Sequence, residues 1–241
     1  MSFYRQIAPY YHHIFKINQA QVNYITETIS DKNALIVDMG CGIGTLSLEL
    51  ANYYNQVRGV DVDTSMIATA KRKVGMRDGV EFVQGSMLDL IKIFKPNSVD
   101  GLVCFGNTLV HLNSMNEVHQ FFMQAKTVLK PDGKLLVQLV NYDRILTKNI
   151  TSLPLIENEE IIFERYYKLN ESSEKIDFNT KLTAKEGGEI LKNTVKLLPV
   201  LQHNIATLLT TSGFKNTHFY GNFTNEDFNQ ENSPALVIAA W

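Results

Sequence analysis

Cysteine is almost missing from this 241-residue chain, which has only Cys41 and Cys104. Both lie in apolar strand-end contexts, so the fold does not rest on a disulfide framework, and reduced thiols in a cytoplasmic protein are expected. An excess of charge of either sign is missing too. The 23 Lys and Arg against 25 Asp and Glu leave a formal net charge of −2, which offers no general field for nucleic acid. No apolar run approaches membrane-spanning length, and Met1-Ser2-Phe3-Tyr4-Arg5-Gln6 does not read as a signal sequence. His12 and His13 have no Cys or acid at ligand spacing, so no metal site is expected. Repeats, linkers and low-complexity segments are absent. What remains is an ordinary globular composition, 44% hydrophobic and 20% charged, long enough for one large domain or one domain with an insertion.

The informative stretch is Leu35-Ile36-Val37-Asp38-Met39-Gly40-Cys41-Gly42-Ile43-Gly44. An apolar run leading into an acid reads as a strand buried on both faces. The glycines that follow make a turn whose backbone can approach a ligand closely. Leu46 and Leu50 then return at helical spacing, with Thr45 able to cap. A dinucleotide fingerprint, G-x-G-x-x-G/A, would place its third small residue at position 45, where Thr45 stands; the glycine is at 44 instead.

Further strands are expected at 34–39, 57–61, 80–84, 100–105 and 134–140, with helices between them and a turn over Lys130-Pro131-Asp132-Gly133. Residues 3–29 read as helical with a break near Pro9. From 151 to 198 the period changes to alternation, which predicts strands at 161–169, 175–182 and 189–197 and a turn over 170–174. Pro199 opens a last helix over 201–211 that Gly213 closes, and 215–220 with 234–240 make a final strand pair. Asp61 ends the second strand, 21 residues after Gly40. An acid there can accept from both hydroxyls of a ribose.

The D-x-G-x-G-x-G pattern resembles motif I of the class I S-adenosylmethionine-dependent methyltransferases. The resemblance implies S-adenosylmethionine as cofactor, with Asp38, Gly40, Cys41, Gly42 and Gly44 around its amino-acid tail and Asp61 on its ribose. Gly59-Val60-Asp61-Val62-Asp63-Thr64-Ser65-Met66 is similar to the second motif of that family, which puts Val62 and Met66 beside the adenine. In Gly85-Ser86-Met87, Ser86 stands where an Asp more commonly meets the adenine amino group, and Met87 packs on the ring. Phe105 belongs to the same cofactor set. Tyr11, in an N-terminal helix with a tyrosine pair, would cover the cleft.

Cys104-Phe105-Gly106-Asn107-Thr108 is not the Asn/Asp-Pro-Pro-aromatic signature of base-methylating enzymes. Cys104 to Leu112 resembles instead the C-x-G-N-x-x-x-H-L of glycine N-methyltransferases and their small-molecule relatives. Asn141-Tyr142-Asp143-Arg144-Ile145-Leu146 is similar to their N-Y-D-x-I-L. That group has an arginine before it, where this chain has Val140, which leaves Arg144 or Arg165 for an acidic acceptor. The resemblance implies that Asn107, His111 and Tyr142 face the acceptor, His111 either as a base or as a wall residue.

The expected fold is α/β: a Rossmann-like, seven-stranded, mostly parallel sheet with an antiparallel C-terminal strand pair and an inserted small antiparallel sheet. Residues 1–140 and 199–241 would form the cofactor-binding core, 1–30 its helical lid, and 141–198 a subdomain covering the substrate. The expected activity is methyl transfer to a small molecule, on nitrogen, with no nucleic acid, membrane or metal involved; the assembly is open to a homodimer. O-methylation of a small acid or hydroxyl compound is the alternative within enzymes. A non-catalytic cofactor-binding regulator and a dehydrogenase are the readings from other classes.

Overall fold

The computed structural model describes residue 7 and residues 10–169 and 173–241. The helix expected over 3–6 and 8–9 and the turn expected over 170–172 lie outside the described residues. Within them, α1 (Tyr11–Ile14) and α2 (Gln19–Thr28) are separate helices, and Asn18 opens the second by accepting from the Ala20 N–H at 3.0 Å.

The core is built from β1 (Leu35–Met39), β2 (Gln56–Asp61), β3 (Val80–Gln84), β4 (Val99–Cys104), β5 (Leu129–Val140), β10 (Thr217–Tyr220) and β11 (Ala235–Ala240), in the order β10-β11-β5-β4-β1-β2-β3. Strands β1 to β5 run parallel, and β11 lies antiparallel to both β5 and β10. The chain order reverses between β1 and β4, which opens a crevice at their carboxyl ends. Helices α3 (Thr45–Leu50), α4 (Thr64–Val74) and α6 (Met115–Val128) connect the strands; α5 (Leu90–Ile93) is a single turn. Asp63 starts α4 by accepting from the Ser65 and Met66 N–H groups, and Ser114 starts α6 by accepting from Glu117 N–H.

Two expectations about this core change. Residues 130–133 do not separate a turn from a strand. Leu129 pairs with Val99 and Lys134 with Gly101, so the run is taken up as an irregularity inside a continuous β5. Thr45 does not cap α3. Gly44, at φ +78, holds the cap position without a side-chain bond, and the Thr45 hydroxyl is buried without a partner in the described residues.

The inserted sheet has four strands, not three: β6 (Ile156–Glu157), β7 (Ile161–Lys168), β8 (Ile176–Ala184) and β9 (Ile190–Leu197), in that order and antiparallel. A two-residue strand leaves no alternation to read in a sequence. Ile161, Phe163 and Leu182 from this sheet pack with Ile7 and Ile14, and Tyr10 and Tyr11 lie against them. Tyr10 Oη donates to Glu189 Oε2 at 3.0 Å, and Asn158 Nδ2 donates to the His13 carbonyl at 3.2 Å. The sheet thus holds α1 over the crevice. Its other end joins the main core through Tyr167, Ile176 and Leu197, and α7 (Tyr142–Thr147) and α8 (Gln202–Thr211) complete the chain.

Candidate active site

The crevice is a cavity of about 700 Å³ at the carboxyl ends of β1 to β4, roofed by α1 and the segment after it. Its floor is the glycine loop. Gly40, Gly42 and Gly44 all have positive φ, at +76, +55 and +78. A Cβ on Gly42 would lie 2.6 Å from Tyr11 Oη, and one on Gly40 would collide with the Thr108 side chain. The loop is therefore a cradle with room for backbone only. Gly44 plays another part. It does not line the cavity, and a Cβ there would lie 2.5 Å from Phe82 Cζ, so this glycine lets α3 pack on the sheet.

Asp61 stands at the end of β2 in the cavity wall. Its Oδ2 accepts from Gly42 N–H at 2.9 Å and its Oδ1 from Asp63 N–H at 2.9 Å. The carboxylate has more acceptor positions than these two donors fill, which leaves capacity for a hydroxyl. Burial raises its pKa from the ordinary carboxylate value, against the pull of those backbone N–H groups. Asp38 is more enclosed, 3% exposed, and accepts from Ser47 Oγ at 2.6 Å. Burial foremost pushes its pKa up to about 6, opposed by the Ser47 bond and assisted by the Asp61 charge. Cys41 also lines the wall, its thiol pKa raised chiefly by burial.

Val62, Met66, Ser86 and Met87 form the wall beyond Asp61. Val62 is 69% exposed, an apolar side chain offered to the cavity mouth. Ser86 Oγ accepts from Leu88 N–H at 3.1 Å and opens the short 3-10 turn Met87–Asp89, so its oxygen already serves the backbone. Phe105 and Tyr11 are in the wall as expected, and the Tyr11 ring packs at a tilt against Phe15, 4.6 Å between centroids.

The three acceptor-side residues divide. His111, at the end of the 3-10 turn Leu109–His111, lines the cavity. Its surface is accessible, yet protein surrounds it because the space it meets is the cavity, and the resulting desolvation lowers its pKa. Asn107 and Tyr142 do not line the cavity. Asn107 Nδ2 donates to Tyr142 Oη at 3.0 Å and Asn107 Oδ1 accepts from Val140 N–H at 3.1 Å. Tyr142 is 1% exposed. The pair bolts the loop after β4 to the end of β5. The rest of the Asn-Tyr-Asp run is also structural. Asn141 caps α7 and donates to the Gln230 and Ser233 carbonyls, while Asp143 accepts from the Gln202 N–H that begins α8. Neither Arg144 nor Arg165 reaches the wall; Arg165 donates to the Pro154 carbonyl at 2.6 Å from the inner face of β7.

Sequence reasoning missed Thr108, Lys16, Gln21 and Glu117, all of which line the cavity. Thr108 lay within a motif already singled out. The others carry no local signal, since the turn of the chain after α1 brings Lys16 and Gln21 over the loop.

Residues 36–133, spanning β1 to the irregularity in β5, match the family model of a methyltransferase domain. Over those residues the chain is similar to a methyltransferase domain. S-adenosylmethionine is the cofactor of this domain class, and the cavity fits it: a backbone-only cradle for the tail, a carboxylate with acceptor capacity for the ribose, and an apolar wall for a base. The chain is 32% identical over 101 residues to the putative methyltransferase YqeM of Bacillus subtilis (strain 168), covering 42% of this chain and 40% of that protein. It spans about two-fifths of the length of the first curated relatives it matches. It is 22% identical over 228 residues to glycine/sarcosine N-methyltransferase of Aphanothece halophytica, covering 92% of this chain and 82% of that one. Relatives matched over shorter stretches are named as O-methyltransferases and ribosomal RNA methyltransferases. An S-adenosylmethionine-dependent methyltransferase from Clostridium acetobutylicum ATCC 824 superposes with a TM-score of 0.79 over 99% of this chain and 98% of its own, at 12% identity. The fold is the α/β Rossmann-like methyltransferase fold.

Proposed function

We propose that the chain is a small-molecule N-methyltransferase that draws its methyl group from S-adenosylmethionine. The observation that carries the nitrogen reading is His111, an imidazole on the cavity wall whose pKa is lowered by desolvation. An amine must lose a proton to be methylated, and a neutral imidazole within the cavity can take it. The bound cofactor supplies an electrophilic methyl whose leaving thioether needs no proton. This chain's residues hold the acceptor and exclude water. Alignment alone can supply about 7–11 kcal/mol of the barrier, and the inserted sheet with α1 closes the site. Asn107 and Tyr142 then act by fixing the loop that carries His111. Residues 141–198 are assigned to covering the acceptor, with 1–140 and 199–241 as the cofactor-binding core and 1–30 as its lid. The likeness to glycine/sarcosine N-methyltransferase supports this, since it runs through the inserted sheet and not only the cofactor half.

The net charge of −2 gives no support to an RNA acceptor. Among the described residues no helix is long and apolar enough to cross a membrane. The test is release of S-adenosylhomocysteine over a panel of matched amines and alcohols, with the methyl located by mass spectrometry. Methylated nitrogen is expected. Methylation confined to hydroxyl or carboxyl groups would move the reading to an O-methyltransferase. Tight S-adenosylhomocysteine binding with no turnover on any acceptor would move it to a regulatory role.

A further inference from the structure

Gln138 lies in β5, but its side chain serves the end of β4. The Gly106 N–H donates to Gln138 Oε1 at 2.9 Å, and the Asn107 N–H donates to the Gln138 carbonyl at 3.2 Å. Gly106 and Asn107 are both left-handed, at φ 74 and 67. Glycine and asparagine enter this conformation readily, and the two bonds to Gln138 fix it here.

The peptide joining Phe105 to Gly106 is held at its other end too. Thr108 Oγ1 donates to the Phe105 carbonyl at 2.7 Å, and the same Thr108 side chain fills the space above Gly40. One peptide unit in the cavity wall is thus pinned by two side chains, Gln138 on its N–H and Thr108 on its carbonyl.

Its place in the sheet says which part of the ligand it meets. With the order β4-β1-β2-β3, Asp61 at the end of β2 is on the nucleoside side. The amino-acid tail of the cofactor therefore runs toward β1 and β4, where this peptide stands. A carbonyl there keeps one lone pair beside the Thr108 bond, and the tail brings an ammonium.

We propose that Gln138 is a positioning residue for the amino-acid tail of the cofactor, acting through the Phe105–Gly106 peptide. The assignment rests on the cofactor site proposed above. It separates from general loosening of the fold because adenosine has the nucleoside and lacks the tail.

The test is calorimetric titration of S-adenosylhomocysteine, and of adenosine, into the wild type, Gln138→Leu and Gln138→Glu, well below their melting temperatures. Gln138→Leu keeps the size and removes the acceptor, and should weaken S-adenosylhomocysteine by about three- to ten-fold. Adenosine affinity should stay within about two-fold, and Gln138→Glu, which still accepts, should restore most of the loss. Unchanged S-adenosylhomocysteine affinity in Gln138→Leu, or an equal loss for both ligands, overturns the assignment. If Gln138→Leu does not fold, Thr108→Val frees the other end of the same peptide and must produce the same split between ligands; an equal loss there overturns it as well. A wild type that binds neither ligand refutes the cofactor site itself, an outcome read before any variant is compared.

Discussion

Gly42 and Asp61 are bonded directly, the Gly42 N–H donating to Asp61 Oδ2 at 2.9 Å. The acid that ends β2 therefore shapes the glycine loop that follows β1, and its second oxygen orders the start of α4 through Asp63 N–H. Ligand binding and loop geometry share one carboxylate.

Asp61→Ala should cost on the order of 2–3 kcal/mol of S-adenosylhomocysteine affinity, as for a charge-assisted bond lost. Stability should fall too, because two backbone N–H groups lose their acceptor. Asp61→Asn keeps an acceptor oxygen and should recover more stability than affinity. Calorimetry together with urea unfolding separates the two effects, and affinity unchanged in Asp61→Ala would show a purely structural acid.

Asp38 should make the protein less stable as pH rises. Its folded pKa is pushed up to about 6, above its value in an unfolded chain. Below both values the carboxyl is protonated in either state and contributes nothing. Between about pH 4 and 6 the unfolded chain ionises while the folded one stays protonated, so stability drops by up to about 3 kcal/mol and then levels off. Asp38→Asn abolishes this titration. Urea unfolding at pH 4.5 and 7.0 should show the variant gaining on the wild type at the higher pH; a constant gap would mean that Asp38 is ionised in the fold.

Two glycines of the motif, two positions apart, should fail differently. Gly44→Ala forces a Cβ to 2.5 Å from Phe82 Cζ at φ +78, and Phe82 is 4% exposed in the core. Strain and overpacking together should cost about 2–4 kcal/mol of stability. Gly42→Ala meets the tip of Tyr11 on the roof, which can swing away, so its stability cost should be about 1–2 kcal/mol and its main effect a loss of cofactor affinity. Thermal melts with and without S-adenosylhomocysteine distinguish them.

For His111, the rising limb of kcat/KM against pH should have its midpoint below the ordinary histidine value of about 6.5, because burial lowers this pKa. His111→Ala should then lose most activity above that midpoint, where the wild-type imidazole is neutral. A loss independent of pH would leave His111 as a wall residue.

Tyr142→Phe removes the acceptor for Asn107 Nδ2 and should cost about 1 kcal/mol of stability. Turnover should fall more than S-adenosylhomocysteine affinity, which should stay within a few-fold. Loss of affinity as large as that of Asp61→Ala would place Tyr142 in the cofactor site instead.

What the amino-acid sequence determined by itself is whatever is encoded in neighbouring residues. Apolar runs punctuated by glycine placed β1 to β4 within a residue or two, because a buried strand needs a continuous apolar segment. The same glycines marked the loop that floors the cavity, and the spacing marked Asp61 in its wall, because a loop that approaches a ligand through its backbone must lack side chains. Period-two alternation announced the inserted sheet, though not its two-residue β6. Only the tertiary structure decided which way the motif residues face. Asn107 and Tyr142 are 35 residues apart and turn to each other instead of the cavity; Gly44 answers to Phe82, not to a ligand. The Gly106 N–H donates to the side chain of a glutamine 32 residues on. Local hydrogen bonding and side-chain period set the elements, but the facing of a side chain depends on how distant strands and helices pack, and no short stretch of sequence contains that.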